Sequence, residues 1–197
     1  MERHMVYSLF ERLWHWTQAF LVITLLITGF EIHGMYDNLG YAIATDLHGD
    51  LAWALIGLWI LAIFWHFTTG EWKHYIPTTK KLLDVMMYYG GGIFEGKDHP
   101  YKKDIHAKHN PLQRLAYLGL KLGISPVIWI SGLLYMFYND WQALGLEGML
   151  TLEYVALAHT AAAFAMLVFL IGHVYMAFTC RPVYAHLKAM ITGYDDH

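Results

Sequence analysis

Four long apolar stretches alternate with polar segments along this chain, at about 13–32, 51–69, 112–138 and 152–178. Each is long enough to cross a bilayer as a helix, which takes about 20 apolar residues at 1.5 Å rise each. From Val155 to Phe178 the only titratable imidazole, acidic or basic side chains are His159 and His173. The pattern predicts an all-α fold, an integral membrane four-helix bundle forming a single domain over 1–197. It shows no soluble second domain, internal repeat or low-complexity tract.

The connecting segments differ in length. Residues 31–46 and 139–153 form short loops, whereas 70–110 is a long polar loop. Inside it, Pro77-Thr78-Thr79 precedes KKLLDVMMYY. That order predicts a short interfacial amphipathic helix with a threonine cap, lying on the cytoplasmic membrane face. Gly90–Gly92 is expected to end it.

Composition agrees with a membrane protein: of 197 residues, 57% are hydrophobic and only 15% charged, against about 25% charged in soluble domains. Where the charges fall says more than their sum. None of the 13 Lys and Arg residues lies in 31–50 or 139–152. The positive-inside rule then puts both termini and the long loop in the cytoplasm and the two short loops outside. Trp14, Trp16, Trp72 and Trp141 lie near span ends, as interfacial aromatics do. The first apolar run is a full span with no A-x-A cleavage signal, which predicts an uncleaved helix. No basic excess or motif suggests a nucleic-acid partner. The single cysteine, Cys180, excludes internal disulfides, and without CxxCH no covalent c-type haem attachment is expected. Just past the fourth span, Cys180 is incidental or a palmitoylation site.

Polar side chains inside a bilayer are costly and tend to be functional. His159 and His173 stand fourteen residues apart, so they share a helix face about 21 Å apart along the axis. Imidazole is a standard axial ligand of haem iron. With the N-terminus inside, His15 matches the depth of His173, and His48, at the entrance of the second span, matches His159. Two bis-histidine haem sites result, His15 with His173 and His48 with His159.

Other residues bear on those sites. Gly29 falls on the face of His15, and Ala161, Ala162, Ala163 and Gly172 keep the fourth span slim. Such small residues serve either haem clearance or close helix packing. His66 lies eighteen residues after His48, on the same face near the cytoplasmic end. It could replace His15 or His173 as ligand, bond a haem propionate, or take part in quinone protonation. Lys121, inside the third span with Pro126 and Gly132, either snorkels to the surface or pairs with a propionate. Arg12 and Arg114 are better placed for the inner haem's propionates. The outer side offers no Lys or Arg to the propionates of its haem.

ERLWHW, DLHGDLAWALIG, HYIPTTKKLLD, KHNPLQRLAYLG and IGHVYMAF resemble the bacterial thiosulfate reductase cytochrome b family. They are also similar to the di-haem cytochrome b membrane subunits of formate dehydrogenase and nickel–iron hydrogenase. The resemblance runs from about residue 7 to 194 and is most specific in HNPLQR and the paired histidines of the fourth span. It implies a bacterial inner-membrane protein holding two haem b groups, with His15, His48, His159 and His173 as iron ligands. The place of His15 in LWHW favours it over His66. Implied too are quinone chemistry (menaquinone or ubiquinone) near the cytoplasmic haem and a periplasmic partner. That partner is a catalytic subunit or a multihaem or iron–sulfur electron-transfer subunit. Asn110 and Gln113 match polar positions lining the quinone pocket of the formate dehydrogenase relative, which has glycine where Leu112 stands here.

The implied role is a quinone-reacting electron-transfer subunit, passing electrons across the membrane inside a larger oxidoreductase. Protons at the inner site would pass through residues such as His66, His109 or Glu71. The residues leave the direction of flow open, inward from a hydrogen- or formate-oxidising partner or outward to a thiosulfate- or tetrathionate-reducing one. Two rival readings are a histidine-lined transporter of protons or divalent metal and a cofactor-free membrane anchor. The first lacks the paired intramembrane carboxylates such a path uses. The second has no use for four histidines matched in depth.

Overall fold

The computed structural model describes residues 3–101, 108–179 and 183–196; Cys180 lies outside them. The described residues are nearly all helical. Four helices are long and apolar enough to cross a membrane: Leu9–Ile32, Tyr41–Thr69, Pro111–Met136 and Leu152–Phe178. Phe20, Phe64, Ile130 and Val168 are each at least 60% exposed along them. Such a surface suits lipid, where apolar side chains incur no hydration cost and the backbone is satisfied within each helix. The chain forms two compact units, Met1–Trp72 with Ala177–His197, and Lys73–Met176.

In the first unit, β1 (Arg3–Met5) precedes α1 (Leu9–Ile32) and α2 (Tyr41–Thr69), and α7 (Ala185–Thr192) leads to β2 (Tyr194–Asp196). Helix α1 begins four residues before its apolar stretch because Ser8 and Glu11 cap it reciprocally. The Ser8 N–H donates to Glu11 Oε2 at 2.8 Å, and the Glu11 N–H donates to Ser8 Oγ at 3.3 Å.

Helix α2 begins ten residues before the apolar stretch at 51, so the expected loop 31–46 shortens to 33–40. Asp46 and Asp50 lie exposed on its first turns, and polarity there had suggested a loop. His48 is therefore two turns inside the helix rather than at its entrance. The turn is held by Glu31, only 4% exposed. Its Oε1 accepts the Asn38 and Gly40 N–H groups, each at 2.9 Å, and that of Leu39.

Helices α1 and α2 pair antiparallel. Trp59 Nε1 donates to Gln18 Oε1 at 3.0 Å midway, and Phe10 stacks on Trp65 at 4.5 Å near the terminal end. The ends of the chain also meet. β1 and β2 pair antiparallel, with Met5 opposite Tyr194. Arg12 Nη1 donates to the Ile191 carbonyl at 2.7 Å, and Trp16 Nε1 to that of Met190 at 3.1 Å. Both ends therefore lie together beside the start of α1.

The second unit holds α3 (Leu82–Met87), α4 (Pro111–Gly119), α5 (Ser125–Met136) and most of α6 (Leu152–Phe178). The amphipathic stretch does form a helix, but threonine does not cap it. Thr78 Oγ1 instead accepts the Lys80 N–H at 3.3 Å, and α3 starts from Lys81 at φ 59°, ψ 17°. That backbone is uncommon for a residue with a Cβ. Nor do the glycines stop the helix at Gly90: a wide π-type turn runs through Tyr88–Gly92, and Gly96 at φ 73° follows it. Between α4 and α5 a second wide turn, Leu120–Ile124, comes just before Pro126. A proline there lacks an N–H and crowds the preceding turn, and a π-type turn is one way to absorb it.

Helix α6 runs antiparallel to the α4–α5 helix, with His159 beside Ser131 and His173 beside Tyr117. Trp141, expected at the interface, is instead 4% exposed. It folds back to donate from Nε1 to the Leu134 carbonyl at 2.9 Å.

Candidate functional site

His48 is held by two adjacent residues of α1. Thr28 Oγ1 lies 2.9 Å from His48 Nδ1 and 2.9 Å from the Thr24 carbonyl. A hydroxyl has one hydrogen, and a carbonyl only accepts. Thr28 gives its hydrogen to the carbonyl one turn back, so toward His48 it can only accept. Nδ1 then carries the imidazole proton and Nε2 the lone pair. Gly29 stands alongside: a Cβ on it would lie 3.4 Å from His48 Cε1. Gly29 thus packs against the imidazole of the neighbouring helix.

The second unit builds the same cradle. Ser131 Oγ donates to the Val127 carbonyl at 2.6 Å and lies 3.1 Å from His159 Nδ1. The Ile128 carbonyl lies 3.1 Å from that nitrogen as well. Two acceptors face Nδ1, so the proton is there and Nε2 carries the lone pair. Gly132 backs the ring, and a Cβ on it would come within 3.1 Å of His159 Cε1. The α1–α2 pair offers Thr-Gly to a histidine, and the α5–α6 pair offers Ser-Gly.

Nearer the chain ends, His15 is half-buried with its ring 5.3 Å from Trp16. His66 is 7% exposed, flanked by Trp14 and Trp65 at 5.1 Å each. His66 Nδ1 sits 2.7 Å from the Ala62 carbonyl, which again leaves the lone pair on Nε2. In the second unit His173 stacks on Phe169, with centroids 5.9 Å apart and planes 13° apart, and Tyr117 lies 6.2 Å away. A Cβ on Gly172 would meet nothing within 4 Å, so that glycine closes no helix contact among the described residues.

His109, just before α4, is buried between Tyr75 at 5.0 Å and Tyr117 at 5.1 Å. Burial, reinforced by Lys108, Arg114, His74 and Lys121, pulls its pKa down to about 3. Lys121 neither reaches solvent alone nor stands apart: its Nζ lies 3.8 Å above the Tyr75 ring, a cation–π contact.

The other sequence-selected residues have structural partners. Asn110 Oδ1 accepts the Gln113 N–H at 2.8 Å while the Asn110 N–H donates to Gln113 Oε1 at 3.0 Å, with Pro111 opening the helix. This reciprocal cap occupies both side-chain oxygens. Asn110 Nδ2 donates to the Tyr89 hydroxyl at 3.3 Å. Arg114 donates from Nε to the His109 carbonyl at 3.0 Å and from Nη1 to that of Ile76 at 3.2 Å. Arg12 likewise holds the Ile191 carbonyl.

The model of the prokaryotic cytochrome b561 family matches residues 6–193. This chain belongs to that family. It is also similar to the protein called "Putative cytochrome YdhU" of Escherichia coli strain K12. The two are 29% identical over 201 residues, covering 100% of this chain and 76% of the relative. A prokaryotic cytochrome b561 binds haem b and transfers electrons, and four apolar helices fit a multi-pass inner-membrane protein.

The residues suit the haem b of a cytochrome b561. Iron takes imidazole through an unprotonated ring nitrogen, and the network at His48 and His159 assigns Nε2 that form. An acceptor on the other ring nitrogen fixes ring and tautomer, as around many metal-bound histidines. Thr28 and Ser131 were missed by the reading of the sequence. The signal was present as Thr-Gly at 28–29 and Ser-Gly at 131–132, a hydroxyl beside a glycine late in the first and third spans.

Proposed function

We propose that this cytochrome b561 is the di-haem membrane subunit of a respiratory oxidoreductase, of the thiosulfate reductase cytochrome b type. It carries electrons across the inner membrane between a periplasmic partner subunit and a quinone site near the cytoplasmic face. Its termini and long loop are cytoplasmic, in line with the Lys and Arg distribution. His48 and His159 hold the haem toward the periplasm, and His15 and His173 the haem toward the cytoplasm, paired by their depth in the four spans. Bound haem supplies a one-electron couple whose potential is set by its ligands and burial.

The observation that carries this reading is the matching hydroxyl contact at Nδ1 of His48 and His159, 2.9 Å from Thr28 Oγ1 and 3.1 Å from Ser131 Oγ. A proton held on Nδ1 toward that hydroxyl suits iron ligation at Nε2. The chain's own contribution is to hold these rings and to handle protons at the cytoplasmic end. Burial keeps His109 neutral and makes it a weak base, so protons there pass through residues such as His66 or Glu71. Quinone contacts fall to amide N–H groups of Asn110 and Gln113, because their oxygens serve the cap of α4.

A reduced-minus-oxidised spectrum with haem quantification tests the proposal. Two b-type haems per chain support it. His173→Ala should remove the cytoplasmic haem and quinone activity while sparing the other. Retention of both haems would overturn the pairing. A spectrum without haem would leave a histidine-lined transporter or a bare anchor.

A further inference from the structure

We infer that Thr28 and Ser131 are positioning residues that fix the ligand tautomer of His48 and His159 and thereby set the potential of the haem these histidines hold. The inference rests on the di-haem reading and adds to it two residues that touch neither iron nor quinone.

Both are buried, Thr28 at 1% and Ser131 at 5% exposure. Each has committed its hydrogen to a carbonyl one helical turn back, at 2.9 Å for Thr28 and 2.6 Å for Ser131. That bond fixes the hydroxyl's rotamer and points a lone pair at the imidazole. Each hydroxyl therefore behaves as a fixed acceptor for an Nδ1–H. Hydrogen-bonding that proton away raises electron density at Nε2, which strengthens donation to the metal. Ferric iron gains more from a stronger donor than ferrous iron does, so both hydroxyls lower the potential.

His159 Nδ1 faces a second acceptor, the Ile128 carbonyl at 3.1 Å. Removing Ser131 Oγ leaves that carbonyl in place. Ser131→Ala therefore leaves His159 Nδ1 with an acceptor, while Thr28→Val removes the hydroxyl at His48 Nδ1. At the second cradle the adjacent glycine lets the ring lie close to its hydroxyl: a Cβ at Gly132 would stand 3.1 Å from His159, whereas one at Gly29 would meet His48 in ordinary contact at 3.4 Å.

The test uses the full-length protein in mild detergent, with redox titration of the b-type absorbance and haem quantification. Thr28→Val keeps the shape of the side chain and loses the acceptor; Thr28→Ser keeps the acceptor and loses a methyl group. The expected result is two haems per chain in each variant. Thr28→Val should shift upward the midpoint potential of the haem that His159→Ala removes. Ser131→Ala should also shift the same haem upward, and Thr28→Ser should restore the native value.

Unchanged potentials in Thr28→Val would overturn the inference, as would a shift confined to the other haem. If Thr28→Val loses a haem outright, retention by Thr28→Ser supports the acceptor role and loss in both overturns it. A wild-type protein without haem would instead refute the di-haem reading, so the two failures are told apart.

Discussion

Gly132 stands closer to His159 than Gly29 does to His48. A Cβ would sit 3.1 Å from His159 Cε1 in the first case and 3.4 Å from His48 Cε1 in the second. The first distance is tighter than side chains normally tolerate, and the second is near ordinary contact. Gly132→Ala requires the imidazole to give way slightly against its acceptors, an overpacking cost of roughly 1–3 kcal/mol. The expected outcome is a lower haem-to-protein ratio in Gly132→Ala than in Gly29→Ala, read from absorbance on purified protein.

Glu31 gathers three main-chain N–H groups on one carboxylate oxygen. Glu31→Ala strands those donors in a buried turn, at about 1–3 kcal/mol. Glu31→Gln keeps an acceptor oxygen and should cost less. Thermal unfolding in detergent should rank the melting temperatures wild type, then Gln, then Ala. Equal values for Ala and wild type would show that the turn does not depend on Glu31.

Asn110 has an evident structural duty as the cap of α4, which separates two explanations of its presence. Asp caps helices as well as Asn does, whereas Ala costs about 1 kcal/mol. Asn110→Asp should leave the melting temperature near native and Asn110→Ala should lower it. If the Asn110 amide also donates to quinone, Asn110→Asp will slow quinone turnover at unchanged stability. Native turnover in that variant would restrict Asn110 to capping.

Buried His109 makes stability sensitive to acid. Its folded pKa, about 3, lies below the ordinary value of 6.5. Between those values the unfolded chain binds the proton more readily, so stability falls as pH drops below about 6.5 and is unaffected by this group above it. His109→Gln removes the linkage. Its melting temperature should decline less than that of the wild type between pH 7 and pH 4. Parallel declines would mean that other groups dominate the acid limb.

The spans and the histidines were legible in the sequence for a simple reason. Lipid demands long uninterrupted apolar runs, and any imidazole within one stands out. Helix starts were less legible, because they depend on local hydrogen bonding rather than on hydropathy. Ser8 with Glu11 was a readable capping box that lies outside the apolar stretch. The first turns of α2 carry Asp46 and Asp50, so polarity disguised them as loop. Lys81 begins α3 from a backbone conformation that composition does not announce, and the threonines before it look like better caps.

At the candidate site, residue type was legible but partner was not. The sequence marks His48 and His159, while their acceptors, Thr28 and Ser131, come from neighbouring helices at 20 and 28 positions' remove. Gly29 was noticed as small, but which ring it admits depends on the register of α1 against α2. Asn110 and Gln113 show the converse: their spacing is that of a reciprocal cap, but resemblance drew attention to a pocket instead.

The tail supplies none of the four proposed iron ligands, yet it is fastened to the beginning of the first membrane helix. Arg12 and Trp16 flank His15 and reach carbonyls of α7, while Val6 and Tyr7 donate to the Gly193 carbonyl. Shortening the protein before α7 would thus loosen the footing of His15 through contacts that span 174 and 179 positions. A bulky fusion placed directly on β2 would press on that footing too, so an expression tag needs a spacer to leave it undisturbed.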